Sequence, residues 1–138
     1  MGYGATISSL ASFVVIKDGI FGVFPEWPLI SESISINLLA GITGSASGGL
    51  SIALEALGDS YLALAETANI SPELLHRVAT LASGGFDTLP HNGAVITLLA
   101  ICGLTHRQSY LDIFAVALVV PFLATAGVVV LGTLFGAF

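Results

Sequence analysis

The residues best suited to chemistry are gathered in one stretch, Ala82-Ser83-Gly84-Gly85-Phe86-Asp87-Thr88-Leu89-Pro90-His91-Asn92-Gly93. Asp87 and His91 can exchange a proton, Thr88 and Asn92 can hydrogen-bond a polar ligand, and the glycines let the backbone come close to it. What is missing narrows the chemistry. No nucleophile is set beside a base, so an enzyme is not expected. His76, His91 and His106 are fifteen residues apart each time, which suits no metal site. Cys102 stands alone in an apolar run, where a packed thiol is expected rather than a disulfide or a ligand. No metal and no organic cofactor are therefore expected.

The elements that must position this stretch are apolar. Nine uncharged residues precede it from Val78 to Phe86, and twelve follow from Gly93 to Leu104. Neither arm reaches the ~20 residues that a bilayer crossing needs. Together, residues 72–104 make one crossing with a polar break near its middle. Such breaks persist in a membrane only where the unpaired backbone is buried in protein or lines a cavity. Ser71-Pro72-Glu73 predicts the start of this broken helix, with Ser71 as cap and Pro72 in the first position. Asn92-Gly93 predicts the start of its second arm, with Asn92 as cap.

Ser33 to Leu54 carries no charge over twenty-two residues, yet its centre is Gly41-Ile42-Thr43-Gly44-Ser45-Ala46-Ser47-Gly48-Gly49. Clustered glycines weaken a straight helix, by ~1 kcal/mol each relative to alanine. A re-entrant hairpin over residues 33–68 is expected: Ile34 to Gly41 enters, Ser45 to Gly49 turns at mid-depth, and Leu50 onward returns. Ala46-Ser47-Gly48-Gly49 recurs as Ala82-Ser83-Gly84-Gly85, each copy at an expected helix break. Ile113 to Phe138, twenty-six uncharged residues, is the clearest full crossing, assigned as 109–138 with its leading turn. Residues 1–19 read as a partial helix. Pro25 and Pro28 argue against a continuous helix between it and the hairpin.

Discontinuous helices whose ends converge at the bilayer midplane are a recurring way to build a transporter site. A helix that starts inside the membrane presents free N–H groups and a positive dipole end, which hold anions without a cationic side chain. Neither break contains Lys or Arg. The expected ligand is a small carboxylate with hydroxyl groups, held by Ser45, Ser47, Gly48, Gly49, Thr88, Asn92 and Gly93. Burial disfavours a bare carboxylate, and a protonated Asp87 would tolerate the bound anion. Asp87 and His91 are thus the expected proton-coupling residues. Sodium on Asp87, Thr88 and freed carbonyls is the alternative coupling ion.

Composition agrees with a membrane protein. Of 138 residues, 55% are hydrophobic and only 9% charged, with a mean hydropathy of +0.98. A soluble domain carries ~25% charge. The net charge of −6 excludes nucleic acid as a partner. The expected fold is all-α integral membrane, one half of an inverted-repeat transporter, whose partners are the bilayer and either a missing N-terminal half or a second copy. A small non-transporting membrane protein that binds a partner through its glycine faces is the competing class.

Asp87-Thr88-Leu89-Pro90-His91-Asn92-Gly93-Ala94-Val95-Ile96-Thr97-Leu98-Leu99, followed by Leu104-Thr105-His106-Arg107-Gln108-Ser109-Tyr110, resembles the C-terminal signature of the gluconate:proton symporter (gluconate permease) family. The glycine-rich segment from Gly41 to Gly49 is similar to the segment that precedes it there. The resemblance implies a multi-pass protein of the bacterial inner membrane in the ion-transporter superfamily. It implies proton-coupled uptake of gluconate or a related hydroxy-acid such as 3-hydroxybutyrate. It also implies a fold of re-entrant hairpins and broken helices in inverted repeats, with an N-terminal repeat lying outside this chain.

Overall fold

The computed structural model describes residues 27–135 together with positions 6, 10–12, 15 and 19. The partial helix expected over 1–19 falls largely outside these residues. The described part is helical and contains no strand.

Helix α1, Pro28–Thr43, starts on a proline in its first turn. Pro28 therefore opens the helix where it was expected to interrupt it: its missing N–H is one that the first turn leaves unpaired in any case. The element begins five residues before the expected hairpin. It ends at Gly44, in the left-handed conformation (φ 61°) that glycine adopts without a Cβ penalty. Ser45 then caps α2, Ala46–Thr67, its side chain accepting from the Gly48 N–H. The hairpin turn is thus only Gly44-Ser45. Ser47, Gly48 and Gly49, expected within the turn, already lie in the first turn of α2, because a cap and a left-handed glycine reverse the chain in two residues.

Helix α3, Pro72–Ser83, begins on Ser71, which accepts from the Leu74 N–H at 3.2 Å. After it come Gly84 and Gly85, a single 3₁₀ turn at Phe86–Thr88, and Leu89-Pro90-His91. Helix α4, Gly93–Cys102, is capped by Asn92, whose Oδ1 accepts from Ala94 at 2.6 Å. Helix α5 runs His106–Phe135. It begins three residues before the expected 109, because Thr105 and Gln108 form a capping box that satisfies the first free N–H groups. A π-helical segment, Phe114–Val119, lies inside it.

Helix α1 is the centre of the packing, in contact with α2, α3 and α5. Ile36 and Leu39 meet Ile52, Ala53, Ala79 and Ala82 on one side. Leu29 meets Leu57, Tyr61, Leu74, Val78 and Val129 on the other. Association of helices in lipid rests on close packing more than on solvent exclusion, and small residues provide it here. A Cβ on Gly49 would sit on the backbone of Ala40, and one on Gly132 would press on Leu74.

Helix α5 is long enough, at 30 residues, and apolar enough to cross a bilayer, and only 17% of its most apolar window is buried. A core helix of a soluble protein would be mostly covered; this one leaves its apolar surface open. Helix α4 is apolar but short, ten residues, with only Val95 and Leu99 buried. Cys102 at its end is exposed. That corrects the expected packed thiol: an apolar run in a membrane chain does not distinguish a residue facing protein from one facing outward.

Candidate functional site

The turn between α1 and α2 meets the break between α3 and α4. The His91 Nε2 donates to the carbonyl of Gly41 at 3.1 Å, fifty residues away in sequence. The Asn92 amide donates to the Gly44 carbonyl at 2.6 Å and to the Asp87 carbonyl within its own segment. The Asp87 carboxyl is near the backbone N–H of Ala46, the first residue of α2. Phe86 and Leu89 pack on Gly41, with the Phe86 Cβ 3.0 Å from where a Cβ of Gly41 would be. The sites expected at the two breaks are therefore one place in the fold.

Each contact answers a local need. Gly41 lies in the last turn of α1 and Gly44 just beyond it, where carbonyls lack helical partners; His91 and Asn92 supply donors to both. Ala46 is in the first turn of α2, where N–H groups lack partners and the dipole end is positive. An acid is the natural occupant, and Asp87 is that acid. Its Oδ1 is buried and has no hydrogen-bond partner.

The expected ligand residues divide into four groups. Asn92 is buried, with both amide protons and its oxygen already engaged. It builds the site. Gly49 faces Ala40, and Gly48 donates its N–H to Ser45 at 3.1 Å, so both belong to the hairpin's packing and capping. Ser47, with its Oγ 3.4 Å from that of Ser45, is exposed, and Gly93 has open space around its Cα. These two are free to meet a ligand. Thr88 is half-buried; its hydroxyl lies 3.0 Å from the Gly85 carbonyl and 3.3 Å from that of Ala117.

Ala117 lies in the π-helical segment of α5, where the hydrogen-bond register is shifted by one residue. Tyr110 adds a bond from its hydroxyl to the Thr88 carbonyl at 3.3 Å, and the His106 Nε2 donates to the Pro90 carbonyl at 3.0 Å. Helix α5 thus braces the break from one side while the hairpin turn closes it from the other. A shallow cavity of about 460 Å³ opens beside Thr88, between α4 and α5, and reaches Asp112. Sequence reasoning missed Gly41, Ala46 and Tyr110 as partners, since each contributes a backbone atom or a distant hydroxyl. Thr43-Gly44-Ser45 did hold a readable signal, a C-terminal glycine followed at once by an N-cap.

The chain is similar to "Uncharacterized transporter YxjC" of Bacillus subtilis (strain 168), with 55% identity over 118 residues, 86% of this chain. The match covers 25% of that relative, so the chain spans about a quarter of its length. No family model and no solved structure matches. The helical architecture and the open apolar surface of α5 are consistent with a helical membrane protein.

Proposed function

We propose that this chain forms the substrate-and-coupling part of a secondary transporter that carries gluconate or a related small hydroxy-carboxylate with a proton. The observation that carries the reading is the position of the Asp87 carboxyl, its buried Oδ1 unpartnered, near the Ala46 N–H at the start of α2. A substrate carboxylate suits that same helix end. The two anions compete for one set of donors. A proton on Asp87 removes its charge, frees the helix end, and lets the substrate carboxylate in. Ser47 and Gly93 stand open beside it for the substrate's hydroxyls. Substrate entry and proton uptake are then one event, which is what symport requires.

In this reading Asp87 carries the proton, whereas His91 and Asn92 hold the hairpin turn in place through the carbonyls of Gly41 and Gly44. Sodium is less well served, because those two carbonyls already have donors. The name of the Bacillus subtilis relative supports transport in general; the choice of a hydroxy-acid and of the proton rests on the resemblance and on the chemistry of the break. The open apolar face of α5 suits lipid, the remainder of a longer permease, or both, in a bacterial inner membrane.

The test is Asp87→Asn in the full-length permease. Acid-driven uptake of labelled gluconate is expected to be abolished, with exchange of substrate across the membrane retained and independent of pH. Uptake that keeps its rate and its pH dependence would contradict the assignment.

A further inference from the structure

Helix α1 carries a second polar cluster that the two breaks do not use. Ser31, Glu32 and Ser35 lie together near its start and are 1%, 2% and 0% exposed. Tyr61 of α2, also buried, joins them. Glu32 is twelve residues from Gly44, about 18 Å along the helix axis, so it belongs to neither break.

The direction of the hydrogen bonds in this cluster follows from their chemistry. The Ser35 hydroxyl donates to the Ser31 carbonyl at 2.6 Å, because a carbonyl only accepts. With that proton committed, the bond between Ser35 and Tyr61 is donated by Tyr61. With the tyrosine proton committed, the 3.2 Å bond between Ser31 and Tyr61 is donated by Ser31. All three hydroxyl protons are engaged, and none is directed at the carboxyl group among them. The Glu32 Oε2 is buried with no hydrogen-bond partner.

Among the described residues, the elements around the cluster offer no compensating charge. Helix α2 turns Glu55, Asp59 and Glu66 outward, and α3 turns Glu73, His76 and Arg77 outward. Asp87 lies in the 3₁₀ turn near Ala46 at the start of α2. Helix α5 is uncharged beyond Asp112. Tyr61 is the titratable side chain that joins the hydroxyl cluster, bonded to Ser31 and Ser35. A metal cation wants a shell of several oxygens. Here the helix carbonyls and hydroxyls are engaged, and no cluster of three acids or histidines occurs among the described residues. A proton needs only the carboxyl oxygen itself.

We propose that Glu32 is a proton-binding site inside the α1–α2 hairpin, separate from Asp87. The neutral acid supplies its own hydroxyl to a pocket whose described hydroxyl donors are all committed, and loosening of the hairpin, by admitting water, lets the proton go. The inference does not depend on transport, since it concerns the protonation of one buried group.

Infrared spectra of the bilayer-reconstituted protein test it, recorded in the Asp87→Asn background so that Asp87 cannot contribute. A protonated-carboxyl C=O band is expected at neutral pH, shifted in D₂O and lost on Glu32→Gln. Because glutamine is a neutral isostere, the doubly substituted protein is also expected to fold with unchanged thermal stability. Absence of the band, its survival in Glu32→Gln, or collapse of that variant's fold would overturn the proposal. Loss of the band on adding sodium at constant pH would also overturn it, in favour of a metal cation.

Discussion

Ala46-Ser47-Gly48-Gly49 opens helix α2, whereas the same four residues at Ala82-Ser83-Gly84-Gly85 close helix α3. The difference lies in their neighbours. The first copy follows Gly44-Ser45, a left-handed stop and an N-cap, so a helix begins. The second runs into Phe86-Asp87-Thr88-Leu89-Pro90, where the proline lacks an N–H and disfavours helix for Leu89. Gly49 in the first copy lies against the backbone of α1; Gly85 in the second lies chiefly against the side chain of Asn37. One copy is a packing device and the other a stop, and together they bring Asp87 to the start of α2.

The comparison can be broken at its strongest point first. Gly49→Ala forces a methyl group into the Ala40 backbone, which cannot rotate away. A loss of about 3 kcal/mol, the upper end of overpacking costs, is expected in reversible unfolding of the protein in mixed micelles. Asn92→Ala comes next. It removes the α4 cap, typically ~1 kcal/mol, and leaves the Gly44 carbonyl without its donor, so about 2 kcal/mol is expected in the same assay. Gly85→Ala is expected to cost less than Gly49→Ala, because the Asn37 amide can turn aside. Gly84→Ala, whose Cβ would meet only the Leu81 carbonyl at 3.8 Å, is expected to stay within about 0.5 kcal/mol of wild type. If the two copies did the same job, Gly49→Ala and Gly85→Ala would cost the same.

The smallest effect concerns proton coupling. His91→Gln keeps an amide donor for the Gly41 carbonyl. Acid-driven uptake by the full-length permease is expected to retain its pH dependence, in contrast to Asp87→Asn. A lost pH dependence in His91→Gln would move the coupling proton to His91.

Helix starts were readable in the sequence because caps act over three residues. Ser71-Pro72 and Asn92-Gly93 begin α3 and α4 where their side chains predict. Glu32 was not readable as a buried group: a single acid after Trp27-Pro28 looks like a helix emerging into water. Tertiary packing, which residue type does not record, buries it. Pro28 misled for a similar reason, since a proline breaks a helix interior and starts a helix equally well. The exposure of Cys102 was hidden because composition does not record which face of an apolar helix is covered. The meeting of the two breaks was expected from their shared chemistry, but its terms were not. Carbonyls and N–H groups of Gly41, Gly44 and Ala46 carry it, and backbone atoms leave no mark on residue type.

The central claim is that Asp87 and the substrate carboxylate compete for the first N–H of α2. Nitrogen-15 NMR of the Ala46 amide in the bilayer-reconstituted protein measures this directly. Its resonance is expected to titrate with pH in the wild-type protein and to shift on adding gluconate at acid pH. In Asp87→Asn the pH response should vanish while the gluconate response remains. An Ala46 amide that responds to neither pH nor gluconate would contradict the account.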